Sequence, residues 1–537
     1  MTVLRTGTGV GCLLLAACIS APSIAQEAGN KGETDVSPAS SARDSVQNDA
    51  STESAPVEEA ASVPAPLAAN PVRNRGSLPG AYPASAQGWG PKTGPNHYMV
   101  RYAEDWSYLA NPDAADVPLR DLKYIPLGLG DGSYVTLSGY EKLRYNFSSR
   151  PNMNNARDRH EIQSRSEFGV DVHLNENFRV YAELGTMQTF GQNTVPRVGA
   201  QENDLILQQL FVEARFPLAG NGKAGVMLGR QMFFDGPKPL ISTREAANVP
   251  RSLNGVRLWS QWDNFRFSAF SLANTSEDSG VLGDAVNVGE TLSGFNSSIV
   301  LTNGELAGQK SQIFLDPFYF HYVNDNRRQA ILRGRDRRET YGARLWGNVG
   351  RFKFDWNAIK QDGNFVGRKV DAYALSANQS VALAPGRGAP RIGFHAELAS
   401  GGGSYAETGE IKTFNPIYPA NIIYTDTNTV TGSNLAGFAP TFSFDPLDKV
   451  SLYGEAGFYW RRDENEPIYR TNFAPYTGIE LVDGKEVLQI YRARIRWKIS
   501  PNITVAQDIN YNVAGDVLKQ AGYGNELYSS TQLHLRF

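Results

Sequence analysis

The chain has only two cysteines and six histidines in 537 residues, and no long apolar run beyond its first 25 residues. Both cysteines, Cys12 and Cys18, lie in that leading stretch, so the chain after Ala25 has no disulfide, thiolate or cysteine-metal chemistry. No histidine stands in a His-x-x-x-His or His-x-Ser pattern, which removes the local signatures of a zinc hydrolase or a serine nucleophile. Nothing approaches the ~18 apolar residues a helix needs to cross a bilayer. Charge of one sign is lacking too: 52 Lys and Arg against 55 Asp and Glu give −3, without the basic footprint of a nucleic-acid binder. Gly128-x-Gly130-x-Gly132 has no strand-then-helix context and reads as a turn, not a nucleotide loop. No cofactor and no catalytic role follow from these residues.

Arg5, the apolar stretch 10–19, and Ser23 and Ala25 before Gln26 read as a secretory signal peptide over residues 1–25. Leu15-Ala16-Ala17-Cys18 also resembles a bacterial lipoprotein box, which leaves a lipid-anchored form as the alternative. Residues 26–98 are rich in Ala, Ser, Pro, Glu, Asp and Gly. Such a segment buries too little apolar surface to offset its ordering entropy, so it is expected to be a disordered periplasmic tether.

From Gly130 onward the pattern alternates with period two. Between Glu161 and Leu174, Ile162, Phe168, Val170, Val172 and Leu174 share one parity, and Glu161, Arg165, Glu167, Asp171 and His173 the other. The same split recurs over 135–147, where Glu141 breaks it, and over 178–184 and 210–216. The connections decide between a sandwich and a barrel. Short ones (175–177, 217–222, 261–264, 348–351, 445–449, 500–502) alternate with long ones (188–204, 232–252, 274–290, 324–338, 362–367, 400–433, 461–485, 515–525). Short periplasmic turns and longer outer loops are the habit of outer-membrane barrels. The expected fold is an all-β transmembrane antiparallel β-barrel of about 18 strands over 99–537, at roughly 22 residues per strand and connection. Leu533, Leu535 and Phe537 end it as an outward apolar ladder suited to the bacterial barrel-assembly machinery.

With lipid outside, the charged parity must line the lumen, because a charge at the bilayer midplane costs ~2–4 kcal/mol. This places Lys142, Arg144, Arg165, Arg179, Arg215, Arg257, Arg344, Lys353 and Arg391 inside, with Arg492, Arg494 and Arg496 as a ladder at ~7 Å steps. Glu167, Asp171, Glu183, Glu213, Asp355, Glu397, Glu455 and Asp508 share that face. The acids either brace the wall by pairing with the arginines or leave them free. Bases outnumber acids on the inward parity, which favours an electropositive conduit, and arginine's planar fork suits carboxylates.

The chain resembles the alginate-export family of outer-membrane porins over 99–537. The resemblance is carried by Glu104-Asp105-Trp106-Ser107-Tyr108-Leu109, Leu122-Lys123-Tyr124-Ile125-Pro126-Leu127, Leu228-Gly229-Arg230-Gln231, Arg251-Ser252-Leu253-Asn254-Gly255-Val256-Arg257-Leu258-Trp259, Glu339-Thr340-Tyr341-Gly342-Ala343-Arg344 and Phe414-Asn415-Pro416. It implies an eighteen-stranded barrel in the bacterial outer membrane, whose arginine-rich constriction passes an anionic uronate polymer outward. Arg144, Arg165, Arg257, Arg344 and the 492–496 ladder would line it. Arg230 shares the parity of Val226 and Leu228 and would face lipid unless a bulge precedes it. The expected partners are outer-membrane lipid and an anionic polysaccharide or oligosaccharide, with no nucleic acid. Uptake of small anionic solutes and a structural or adhesive barrel are the rival readings.

Overall fold

The computed structural model describes residues 86–537, apart from 95, 115, 116, 421 and 422. The signal peptide, the Cys18 box and the tether as far as residue 85 lie outside the described residues. No helix among the described residues is long and apolar enough to cross a membrane. Strands do so instead: β1 (Tyr134–Ser148), β2 (Arg159–His173), β3 (Phe178–Gln192), β4 (Asn203–Leu218), β5 (Gly222–Gln231), β6 (Leu253–Gln261), β7 (Phe265–Ser276), β8 (Ala285–Leu306) and β9 (Gln309–Gln329) make half the wall. The other half is β10 (Leu332–Val349), β11 (Phe352–Phe365), β12 (Arg368–Ala382), β13 (Arg391–Ala399), β14 (Leu435–Leu447), β15 (Val450–Arg461), β16 (Glu486–Lys498), β17 (Ile503–Ala514) and β18 (Glu526–Arg536).

Each strand pairs antiparallel with its sequence neighbour, and β18 closes on β1 from Tyr528↔Ser148 to Arg536↔Tyr140. Closure leaves no ladder edge in lipid, where an unpaired backbone group costs several kcal/mol. The seam is completed by reciprocal backbone hydrogen bonds of 3.0 Å between Gly139 and Phe537. The Phe537 ring lies over Gly139, where a Cβ would come within 2.1 Å of a ring carbon.

Alternation sorts the side chains as expected on β1 to β4: Leu143, Ile162, Phe168, Leu210 and Val212 are exposed outward while Lys142, Arg165, Glu167 and Glu213 are buried inward. Glu141 remains on the outer parity and accepts a hydrogen bond from Ser166. Two expected long connections are instead tight hairpins: β9 and β10 are joined by 330–331, and β11 and β12 by 366–367. Residues such as Asn324 and Asp336 pair in the ladder. Their polarity on both faces resembles a loop, yet the hydrogen bonds continue. Conversely, 383–390 is a longer connection at the short-turn end.

The lumen is filled from three directions. Ala86 to Ala103, part of it within the stretch expected to be disordered, packs Trp89, Tyr98, Val100 and Tyr102 against Tyr181, Phe211, Met227 and Trp259 of the wall. Trp89 meets Trp259 edge to face at 5.8 Å. The aromatic residues of this strap are outvoted by small polar neighbours in any composition window. The connection 232–252 inserts Phe233, Leu240 and Ile241, and 400–434 inserts Phe414, Ile417 and Tyr418, against inward Phe270, Leu272, Phe318, Phe320 and Tyr322. Inward Phe270, Leu272, Leu292, Phe318, Phe320 and Tyr322 on β7 to β9 are apolar because they pack on folded-in connections and not on water.

Candidate functional site

The inward charges form separate networks. Near the short-turn end of β2 to β4, Arg179 donates to Asp171 and Glu213 at 2.6 Å each, and Arg215 to Glu213 at 2.8 Å. Beside it, Arg101 from the strap reaches Glu167 at 2.8 Å and Glu183 at 2.6 Å. Tyr181 Oη and Gln209 Nε2 also donate to Glu183. These six expected lining residues brace the wall and the strap. Arg257 does the same with a partner from a connection: Asp235 accepts from Arg257 at 2.6 Å, from Arg266 at 2.7 and 2.8 Å and from Asn296 at 2.6 Å. Burial opposes ionisation of Asp235, but Arg266 and Arg257 overcome it and hold its pKa at about 2. Arg344 pairs with Asp355 at 2.7 Å and Asp316 at 3.5 Å.

Arg144 and Arg165 grip the connection 232–252. Arg144 donates to the carbonyl of Ala246 at 3.0 Å and Arg165 to those of Ala247 and Asn248 at 2.7 Å. Arg165 also lies 3.6 Å from Glu245. Along β16, the ladder alternates with carboxylates. Arg492 sits 3.2 Å from Glu455 and 3.3 Å from Asp426, Arg494 pairs with Asp426 and Asp508, and Arg496 sits 2.7 Å from Asp508. His395 bridges Glu397 at 2.9 Å and Glu455 at 3.3 Å.

Between strap and ladder a cavity of about 290 Å³ remains. Lys92, Lys142, Arg165, Arg496, Lys498 and Arg536 line it, with Arg101 and His534, against Glu104, Glu167 and Glu245. Lys142 is buried at 8 % exposure and has no hydrogen bond or ion pair among the described residues. Lys353 and Arg391 do not join it: Lys353 is exposed, and Arg391 binds Ser380 and the carbonyl of Arg351 near the short turns. Arg230 faces outward, since the β4–β5 register runs unbroken from Leu218↔Gly222 to Leu210↔Arg230. It tops β5 beyond Leu228 and donates to the Leu207 carbonyl and to Asn254 at 2.9 Å. His160 is likewise on the outer rim, 2.9 Å from Tyr145 Oη.

Arg101, Asp235, Glu245 and Asp426 were invisible to parity because they lie in connections, where period two carries no facing information. Arg266 lies on β7, where both parities hold aromatics, Phe265 and Phe267 against Phe270.

A closed eighteen-strand barrel with an apolar outer band and a charged inner face is a porin-type barrel of the bacterial outer membrane, in contact with lipid and built for passage of solutes. The chain belongs to the alginate export family, whose model matches residues 133–529. Among solved structures it is similar in fold to OccAB1 of Acinetobacter baumannii, with a TM-score of 0.51, 12% identity, and coverage of 75% of this chain and 96% of that one. OccD3 (OpdP) of Pseudomonas aeruginosa gives 0.50 and 12%, covering 77% and 93%. No curated protein matches the chain.

Proposed function

We propose that the lumen passes an anionic polysaccharide or oligosaccharide of the uronate class outward across the outer membrane, with Lys142, Arg144, Arg165 and the 492–496 ladder along its path. The observation that carries this reading is the cationic surplus of the residual cavity, with the buried Lys142 amine lacking a carboxylate of its own. Cationic side chains outnumber carboxylates around this cavity, so its field favours anions in transit. Export is taken from the family. Phe537, zipped to Gly139 at the seam, is the proposed contact for the barrel-assembly machinery. The test is planar-bilayer current with glucuronate added to either side: block of an anion-preferring current, absent with glucose, is expected, and equal insensitivity to both sugars would reject the reading.

A further inference from the structure

The arginine ladder holds three guanidiniums and three carboxylates, and the carboxylates have two origins. Glu455 and Asp508 are wall residues that stand directly opposite Arg492 and Arg494 in the strand register. Asp426 is delivered by the inward connection 400–434. Its Oδ2 accepts from Arg494 Nε at 3.1 Å and from Arg492 Nη2 at 3.3 Å, while Arg494 Nη2 reaches Oδ1. The Asn510 carboxamide, with its nitrogen towards Asp426, donates at 3.1 Å and accepts the Asp426 backbone N–H at 3.0 Å.

The residues flanking Asp426 extend the pattern. Thr425, Thr427 and Thr429 are joined hydroxyl to hydroxyl, and Asn512 Nδ2 on β17 donates to Thr427 at 3.3 Å and Thr429 at 3.0 Å. A carboxylate held in an arginine fork, beside hydroxyls held by amide side chains, presents the functional groups of an acidic sugar. We propose that this segment is a built-in mimic of the transported polymer: the Asp426 carboxylate fills the ladder's carboxylate site, and a uronate carboxylate opens the conduit by exchanging with it. This rests on the reading of the lumen as an anion conduit. The exchange conserves charge, since one carboxylate leaves Arg494's fork as another enters, and hydroxyl contacts can be replaced by hydroxyl contacts. Wall acids cannot leave in this way because their backbones are fixed in the ladder. A tethered competitor acts at a high effective concentration, so its removal should sharpen the site's affinity for free carboxylates.

The full chain is reconstituted as wild type, Asp426→Asn and Asp426→Glu, with sodium glucuronate as the probe and glucose as control. The expected result is a higher open fraction in Asp426→Asn and glucuronate block at about tenfold lower concentration, with Asp426→Glu like wild type. In the wild type, glucuronate but not glucose should raise amide hydrogen exchange over 425–433, a readout that decides the matter even if Asp426→Asn fails to assemble. Unchanged block in Asp426→Asn, or no glucuronate-dependent exchange at 425–433, overturns the proposal while an anion-selective wild type keeps the conduit. Loss of anion preference in both proteins would instead reject the conduit itself.

Discussion

Asp235 is the point at which the strap, a folded-in connection and the wall meet, so Asp235→Asn should loosen all three. The carboxylate takes four hydrogen bonds, three of them from guanidiniums. Those guanidiniums in turn hold the strap: Arg257 donates to the Gly88 carbonyl at 3.1 Å and stacks on Trp89 at 4.2 Å, and Arg266 donates to the Ala86 carbonyl at 2.9 Å. Removing one partner of a buried charge cluster costs about 3–5 kcal/mol. At 1.4 kcal/mol per tenfold, the docking equilibrium constant should fall by about a hundredfold to a few thousandfold. Hydrogen exchange measured peptide by peptide reads this as lost protection over 86–90 and 232–240, with the β2–β3 ladder unchanged. The pH dependence of this contribution follows from the depressed pKa. A carboxyl held below its unfolded value contributes stability that is full above pH ~4 and lost as pH falls through about 2, so the wild type should lose the Asp235 share of strap docking in that window. Unaltered protection of 86–90 in Asp235→Asn would show that Asp235 does not hold the strap.

Arg101→Ala should strand Glu167 and Glu183 without their shared counter-charge, undocking the strap at a cost of about 3–5 kcal/mol and raising the conductance measured in bilayers. Gly139→Val should block closure of the β18–β1 seam, seen as loss of the heat-modifiable folded band on gels, because the added carbon meets the Phe537 ring at 2.1 Å. A Glu-specific protease added to intact cells should cut at exposed Glu407 and spare Glu176 in the 174–177 turn; cleavage at Glu176 from outside would invert the topology. Lys142→Glu should move selectivity towards cations with little loss of assembly, since Lys142 has no partner to abandon.

How much of this was legible in the sequence depended on whether one face met lipid and the other met charge. Over Arg159–His173 that condition holds, and the strand and its facing were readable from Ile162 and Phe168 against Arg165 and Glu167. On β9 it fails: Phe318, Phe320 and Tyr322 point inward onto Leu240, Ile241 and Tyr418, so both faces are apolar and no parity survives. Above the apolar band it fails again, because Asn324 to Gln329 stay in the ladder with polar side chains on both faces. The pairing of the ladder was the largest gap. Alternation placed Arg492, Arg494 and Arg496 inside, but the carboxylate that occupies them, Asp426, comes from a segment some seventy residues away whose position is a tertiary matter. Arg179, Arg215, Arg257 and Arg344 are paired with wall or connection carboxylates, whereas Lys142 has no ion pair among the described residues.

An anion-selective lumen should show itself in the reversal potential of the reconstituted wild-type protein in a potassium chloride gradient. A lumenal charge acts on passing ions within about a Debye length, ~8 Å at physiological salt. The expected reversal potential lies on the chloride side of zero and moves towards zero as salt rises. A potential at zero or on the potassium side, or a barrel that carries no current, would mean that the lumen does not select anions.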